Sequence, residues 1–317
     1  MRDPNAFTGA PLDRAEDGRR RNTDWVAAQF EHGAARALVA GDAGVVMEGE
    51  LLARVPLTEV SAEGRPSFLL GLDDEGPLFA LDEGPRHQPG ERSPIVGAGG
   101  RRGEPAPEVP GRLSLREAAQ VLDQAEGGLA AYAAALLNWH RGHGHCPNCG
   151  TATEVAEAGL LRECPRCGSH HHPRTDPVVI MLVSDGDRLL LGRQRVWPAR
   201  RYSALAGFVA PGESLEEAVA REVLEEVGVT VGQPEYQSSQ PWPFPASLML
   251  GFTVPWRGGE LGGSDPELED KRWFGREEVA GAARGDSWSA PDDGGDSLLL
   301  PPRAAIARRL IEGWLSG

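Results

Sequence analysis

The chain has 317 residues, 40% of them hydrophobic, which is enough for two or three packed domains. A formal net charge of −15 argues against broad nonspecific adhesion to nucleic acid, which needs a basic footprint, but admits a small phosphate-bearing ligand held through bound cations. No apolar run reaches the ~18 residues of a membrane helix, and the opening Met-Arg-Asp-Pro-Asn-Ala lacks a signal-peptide core, so a cytoplasmic protein with no membrane partner is expected.

Residues 1–24 are polar, with Arg19-Arg20-Arg21 among them, and are expected to form a flexible N-terminus. Over 25–112 short apolar runs (37–39, 45–47, 51–55, 67–70 and 77–81) alternate with turns. The stretch Asp73-Asp74-Glu75-Gly76-Pro77 reads as one such turn. This pattern predicts a small mixed or mostly β N-terminal domain without a catalytic constellation, in which part of the Gly- and Pro-rich stretch 85–110 is loop. Ser114 and Glu117 have capping-box spacing and open an Ala- and Leu-rich helical linker over 113–141, one or two helices interrupted at Gly127-Gly128.

Over 142–173 the four cysteines fall as two Cys-x-x-Cys pairs, Cys146 with Cys149 and Cys164 with Cys167. Each pair can aim two thiolates at one ion, and two pairs complete a four-sulfur tetrahedral site suited to zinc. Four thiolate ligands leave no open position, so the metal is structural. Residues 151–162 between the pairs can form a hairpin. The nearby His143, His145, His170, His171 and His172 read as surface residues or neighbours of the ligands.

From 174 to 317 the pattern alternates. Residues 177–183 are a buried strand, Asp185-Gly186 a hairpin turn and 188–193 its return strand. Strands follow over 229–240, 248–254 and 271–274, and a final helix over 302–315 carries Ile306, Leu310, Ile311 and Trp314 inward. Between them lies a helix over 214–227, with Ser214 as N-cap, Glu217 completing a capping box and Gly228 as the stop. Leu215, Ala218, Val219, Val223, Leu224 and Val227 form its apolar side. Glu222 and Glu226, four residues apart, share one face, which Glu225 borders. Like charges at that spacing destabilise a bare helix, and a divalent cation is the natural counter-ion.

The order Gly207, five residues, Glu213, seven residues, then Arg221-Glu-Val-Leu-Glu-Glu-Val-Gly-Val matches without a gap the signature of the Nudix hydrolases. The resemblance implies an α+β fold: a Nudix α/β/α sandwich, here preceded by the small mostly β domain and the zinc ribbon. It also implies cleavage of a diphosphate linkage with Mg²⁺ or Mn²⁺. Glu222 and Glu226 carry over as metal ligands, with Glu225 bordering them. Arg221 is expected to pair with Glu213 and pin the loop to the helix.

Ten residues on, Ser239-Gln-Pro-Trp-Pro-Phe-Pro-Ala-Ser247 places prolines at alternate positions, which stiffens an extended segment and projects Gln240, Trp242 and Phe244 to one side. Rings held this way can stack on a base. The stretch resembles the array of the NADH pyrophosphatase subfamily, whose members hydrolyse NADH or NAD to nicotinamide mononucleotide and AMP, are typically homodimers, and include enzymes that remove an NAD cap from RNA. By position, Gln240, Pro241, Trp242, Pro243, Phe244, Pro245, Ala246 and Ser247 carry over as substrate contacts, Ala206 and Ala307 as backbone contacts, and Glu267 as a further metal-binding carboxylate. Two departures stand out: His172 occupies the place of a Tyr that lies near the base, and Ala246 that of a Gln found in some members. The general base is one of Glu225, Glu226 and Glu267. Three functions follow: hydrolysis of free NADH or NAD, removal of an NAD cap from RNA by the same cleavage, and, without catalysis, partner or nucleic-acid binding by the ribbon beside a nucleotide-sensing Nudix half.

Overall fold

The computed structural model describes residues 5–16, 18–41, 44–60, 65–83, 111–263, 266–285 and 297–317, so most of the expected loops over 85–110 and 284–295 lie outside the described residues. Three units follow along the chain. The first holds helix α1 (Thr23–Phe30), strands β1 (Arg36–Gly41), β2 (Gly44–Glu48), β3 (Leu51–Leu52) and β4 (Arg54–Pro56), helix α2 (Leu57–Val60), strands β5 (Ser67–Asp73), β6 (Gly76–Asp82) and β7 (Arg112–Leu113), and helices α3 (Leu115–Val121) and α4 (Gln124–Gly142). Its strands form one seven-stranded sheet in the order β3-β2-β1-β6-β5, with β4 on β1 and β7 on β2.

The helices expected as a linker pack into this unit. Leu115, Ala118, Leu129, Leu136 and Leu137 share one core with Leu38, Phe68 and Leu78 of the sheet. The break falls at Leu122 and Asp123, where the Asp123 side chain caps α4 by accepting from Glu126 N, and Gly127-Gly128 lie inside the helix. Those glycines let another segment cross: a Cβ on Gly128 would stand 2.6 Å from Ala10 N. The N-terminal residues are correspondingly not loose where they are described. Arg20 is buried and donates to the carbonyls of Arg14, Leu69 and Leu70. Withdrawing that cation would strand polar groups in the core.

The second unit is a three-stranded ribbon of β8 (Glu154–Ala156), β9 (Leu161–Glu163) and β10 (His170–His171). His140 of α4 ties it to the first unit. Its ring stacks on Phe68 with centroids 3.6 Å apart, Nε2 meets Gly159 O at 2.9 Å and Nδ1 meets the Arg162 guanidinium at 3.0 Å. A carbonyl only accepts and a guanidinium only donates, so the ring is neutral with its proton on Nε2.

The third unit contains β11 (Asp176–Ser184), β12 (Arg188–Gln194), β13 (Leu205–Phe208), α5 (Leu215–Val227), β14 (Thr230–Val231), β15 (Glu235–Trp242), β16 (Ser247–Gly258), β17 (Leu268–Gly275), α6 (Arg276–Arg284) and α7 (Ile306–Ser316). Its sheet runs β14-β16-β11-β12-β17, with β13 on β11 and β15 on β16. Side chains alternate across β11. Val179, Met181 and Val183 meet Ala218, Val219, Val223 and Val227 of α5, whereas Ile180 and Leu182 meet Ile306, Leu310 and Ile311 of α7. The result is the expected α/β/α sandwich. Being buried on both faces also explains why β11 reads as a continuous apolar run. Two details depart from expectation. Leu224 points to solvent, because the apolar stripe of α5 is satisfied without it. Helix α7 begins at Ile306 rather than at Pro302, with its first N–H taken by the Gln240 side chain. Each large sheet contains one parallel pairing among its named strands, β1 with β6 and β11 with β16.

Burial pushes the pKa of His140 down from 6.5 to about 4. The folded state therefore favours the neutral ring, and this contribution is complete above the unfolded value and is lost as pH falls toward the folded one. The melting temperature, followed from about pH 7 to about pH 4.5, should fall less steeply in His140→Gln than in the parent protein; equal slopes would remove His140 from this role.

Candidate active site

Helix α5 is fixed at both ends. Ser214 Oγ accepts from Glu217 N at 3.2 Å, Ser214 N donates to Glu217 Oε2 at 2.8 Å, and Gly228 ends the helix with φ 75°. With its apolar stripe on the sheet, Glu222 and Glu226 stand one turn apart beside β13, 9% and 4% exposed. Gly207 makes room for the first: a Cβ there would fall 2.0 Å from Glu222 Cδ.

Arg221 organises the acids. It grips Glu213 through Nε–Oε1 at 2.5 Å and Nη2–Oε2 at 2.9 Å, and donates to Phe208 O at 2.9 Å. Its Nη1 reaches Glu222 at 2.8 Å and Glu225 at 2.9 Å. The guanidinium, helped by Ala210 N, holds the Glu213 pKa down to about 2, and the acid's hydrogen bonds raise that of Arg221. The pair thus locks the loop 207–213 to α5.

Beside these residues opens a cavity of about 770 Å³. Glu222, Glu226 and Glu267 line it, Gln194 donating to Glu267, and so do Trp242 and Phe244. Ala206, Gln240, Pro245, Ser247 and Ala307 complete the array's share of the wall. Pro241, Pro243 and Ala246 are not part of it. Glu225 also lies off the wall, its side chain 54% exposed and bonded to Arg221. Gln240 is 0% exposed. Its amide nitrogen donates to Ala6 O at 3.2 Å and Ala304 O at 2.7 Å, and its oxygen accepts from Ile306 N at 2.8 Å. It therefore braces the wall. The array is extended only as far as Trp242, after which 243–246 turn.

Two lining residues had no signal in the sequence. The guanidinium carbon of Arg116, from α3, lies 4.2 Å from the Phe244 ring centroid and 5.6 Å from that of Trp242, and burial lowers its pKa. Phe7 meets both rings edge-on at 6.2 and 6.3 Å. Nothing local marks either residue, because both arrive from the first unit by tertiary packing. His172 is not brought to this cavity; it is exposed and lines a separate space of about 400 Å³ with Arg14 and Tyr132.

In the ribbon, Cys146 and Cys167 sulfurs are 3.7 Å apart and those of Cys149 and Cys164 3.4 Å. A zinc–sulfur tetrahedron has edges of ~3.8 Å, so the thiols are disposed for one ion. Among the described residues these cysteines are the one group of three or more candidate ligands whose donor atoms lie within 4.8 Å of one another. His143 instead bonds Trp139 O at 2.8 Å.

Family comparisons divide the chain as the fold does. Residues 33–139 match the NADH pyrophosphatase-like rudimentary NUDIX domain, 141–171 the NADH pyrophosphatase zinc ribbon domain and 173–291 the NUDIX domain. The first match takes in both α3 and most of α4, and accords with the parallel pairing that the two large sheets share. The chain is 44% identical over 211 residues to the NAD-capped RNA hydrolase NudC of Mycobacterium bovis, covering 66% of this chain and 67% of that protein. It is 41% identical over 219 residues to the NAD-capped RNA hydrolase NUDT12 of Homo sapiens, covering 66% of this chain and 44% of that one. A solved NUDIX hydrolase from Nitrosomonas europaea aligns with 42% of this chain and 78% of its own at 23% identity, with a TM-score of 0.38.

Two substitutions test the arrangement. If Glu222 is a metal ligand, Gly207→Ala should displace its carboxylate and weaken Mn²⁺ binding, read by titration calorimetry, by about tenfold or more while the melting temperature changes little; unaltered Mn²⁺ affinity would count against Glu222 as a ligand. Cys164→Ser should lower zinc content and melting temperature together, and zinc retained at one equivalent per chain would contradict the four-thiol site.

Proposed function

Because the chain belongs to the Nudix hydrolases, in the group that carries the NADH pyrophosphatase zinc ribbon, we propose that it hydrolyses the diphosphate bond of NADH or NAD, releasing nicotinamide mononucleotide and AMP. One observation carries this reading: a carboxylate wall and an aromatic wall face the same cavity. A dinucleotide diphosphate presents the two matching chemistries, anionic phosphates and flat bases.

Trp242 and Phe244 offer ring surface to a base, an interaction of ~1–3 kcal/mol. Glu222, Glu226 and Glu267 would hold the divalent cation. The fit is supported by an all-oxygen donor set, which suits Mg²⁺ or Mn²⁺, and by the space that Gly207 leaves for Glu222. A bound ion of this kind polarises phosphoryl oxygens, activates water and stabilises the leaving phosphate. Arg221 keeps Glu222 oriented and, through Glu213, fixes the loop. Of the three candidate bases, Glu226 and Glu267 line the cavity, and either can accept the proton of the attacking water. Glu225 is a partner of Arg221, and its contribution is to position that side chain.

Removal of the NAD cap from RNA is the second reading, by the same bond cleavage; the names of both relatives support it. The net charge of −15 ranks it behind the free dinucleotide. The carboxylate wall speaks against a purely binding role. A homodimer is part of the proposal. His172 lines a different cavity of its own chain, so it would reach a base in this cavity from a second copy. Four cysteines gathered for a metal rather than paired in disulfides fit a reducing cytoplasm, and among the described residues no helix is long and apolar enough to cross a membrane.

Incubation with NADH, NAD and NAD-capped RNA in Mg²⁺ or Mn²⁺, with products identified, tests the substrate; cleavage of the RNA alone would reverse the order of the two readings. Glu226→Gln should reduce turnover by orders of magnitude with zinc content and melting temperature unchanged, and near-normal rates would take Glu226 out of the mechanism. Light scattering reads the oligomer, and a monomer that retains full activity would exclude the role of a second copy.

A further inference from the structure

We propose that Phe7, carried on an N-terminal strap, is the third wall of the base-binding end of the cavity and determines which flat heteroaromatic base enters it. The inference rests on the diphosphatase reading for the identity of the base-bearing ligand.

Phe7 is 3% exposed and lines the cavity. Its ring is tilted 69° to Trp242 and 64° to Phe244, and those two are tilted 68° to each other. Three rings at such angles form a corner rather than a stack. Arg116 lies against the Phe244 side of the corner. A guanidinium there disfavours a cationic ring by charge repulsion, so the occupant is an uncharged base such as adenine or reduced nicotinamide.

The strap is held from both sides. Asn5 Nδ2 donates to Ser239 O at 2.7 Å, and Gln240 donates to Ala6 O at 3.2 Å. Thr8 Oγ1 donates to Asn5 O at 2.6 Å and accepts from Gln124 Nε2 at 3.0 Å. Keeping the ring here has local costs. Phe7 adopts φ 66°, in the left-handed region that bulky residues avoid. Helix α4 carries Gly127-Gly128 in its interior, at the expense of helix propensity, beneath the crossing strap. Phe7 also shares the first unit's core with Leu129 and Ala130, so the ring is anchored on that side while it meets Trp242 and Phe244 on the other. The left-handed backbone and the paired glycines let a residue of that core reach the two array rings as well.

The test compares Phe7→Ala, Phe7→Leu and Phe7→Tyr. Binding of AMP and of reduced nicotinamide mononucleotide is titrated without divalent metal, and NADH kinetics are measured with it. Phe7→Ala should weaken one of the two mononucleotides about tenfold and raise KM for NADH by a similar factor, the change residing in KM rather than kcat. Phe7→Tyr should restore both values, and Phe7→Leu, which fills space without a π face, should not. Restoration by Leu equal to that by Tyr overturns the proposal in favour of simple packing. Unchanged affinity in Phe7→Ala overturns it as well, and a lower KM there would make Phe7 a plug instead of a wall. If Phe7→Ala fails to fold, the Leu and Tyr pair carries the comparison. Phe7-dependent binding in a protein that does not cleave NADH would reject the diphosphatase reading and leave the aromatic corner standing.

Discussion

Glu222 and Glu226 stand one helical turn apart with little solvent to screen them, and the rest of the catalytic half is built around tolerating that repulsion. Like charges at this spacing cost roughly 0.2–0.5 kcal/mol on a helix in water, and burial raises the cost. Full burial of one valine contributes about 1.5–3 kcal/mol. Val219, Val223 and Val227 are all fully buried against the sheet, so packing decides that α5 forms and the acids are carried along. Arg221 then offsets part of the charge, and its grip on Glu213 transmits the position of α5 to the loop before it. The capping box and Gly228 confine the helix to the turns that place both carboxylates on the cavity.

The other side of the cavity depends on different physics. Trp242 and Phe244 come from β15 and the turn after it, but their positions are set by groups from the first unit: Arg116 on α3 and Phe7 on the strap. Among the described residues the first unit has no acidic signature helix of its own, and α2 spans only Leu57–Val60. Its contribution to the site is therefore one of shape and charge rather than of carboxylates. The ribbon lies between the units and joins the first through a neutral histidine.

Features that depend on short sequence separations were legible. The four cysteines, the capping box of α5 and the continuous apolar run of β11 each follow from spacing or pattern within a few turns or strands, and the Arg221–Glu213 pair was an expectation attached to the signature. Features that depend on distant partners were not. Gln240 reads as a side chain projected beside Trp242, yet Ala6, Ala304 and Ile306 take its polar atoms. Gly127-Gly128 reads as a helix break, because the strap that crosses those residues lies more than a hundred positions upstream. Leu224 reads as part of the apolar stripe, but its neighbours suffice to cover the sheet. The polar N-terminus reads as loose, because the carbonyls that hold Arg20 belong to β5.

The side-chain amide of Gln240 has a consequence for the order in which the molecule assembles. It joins the backbone at Ala6 to that at Ile306, and contacts of such long range are the slow ones in folding. During synthesis the strap and Phe7 can pack on α4 and the core of the first unit once these exist, but the bridge through Gln240 waits until α7 has emerged from the ribosome. The sandwich strands and the ribbon can form earlier, whereas the contact between Gln240 and Ile306 forms among the last. The brace that Gln240 makes between the strap and α7 is therefore completed only after the rest of the chain has been made.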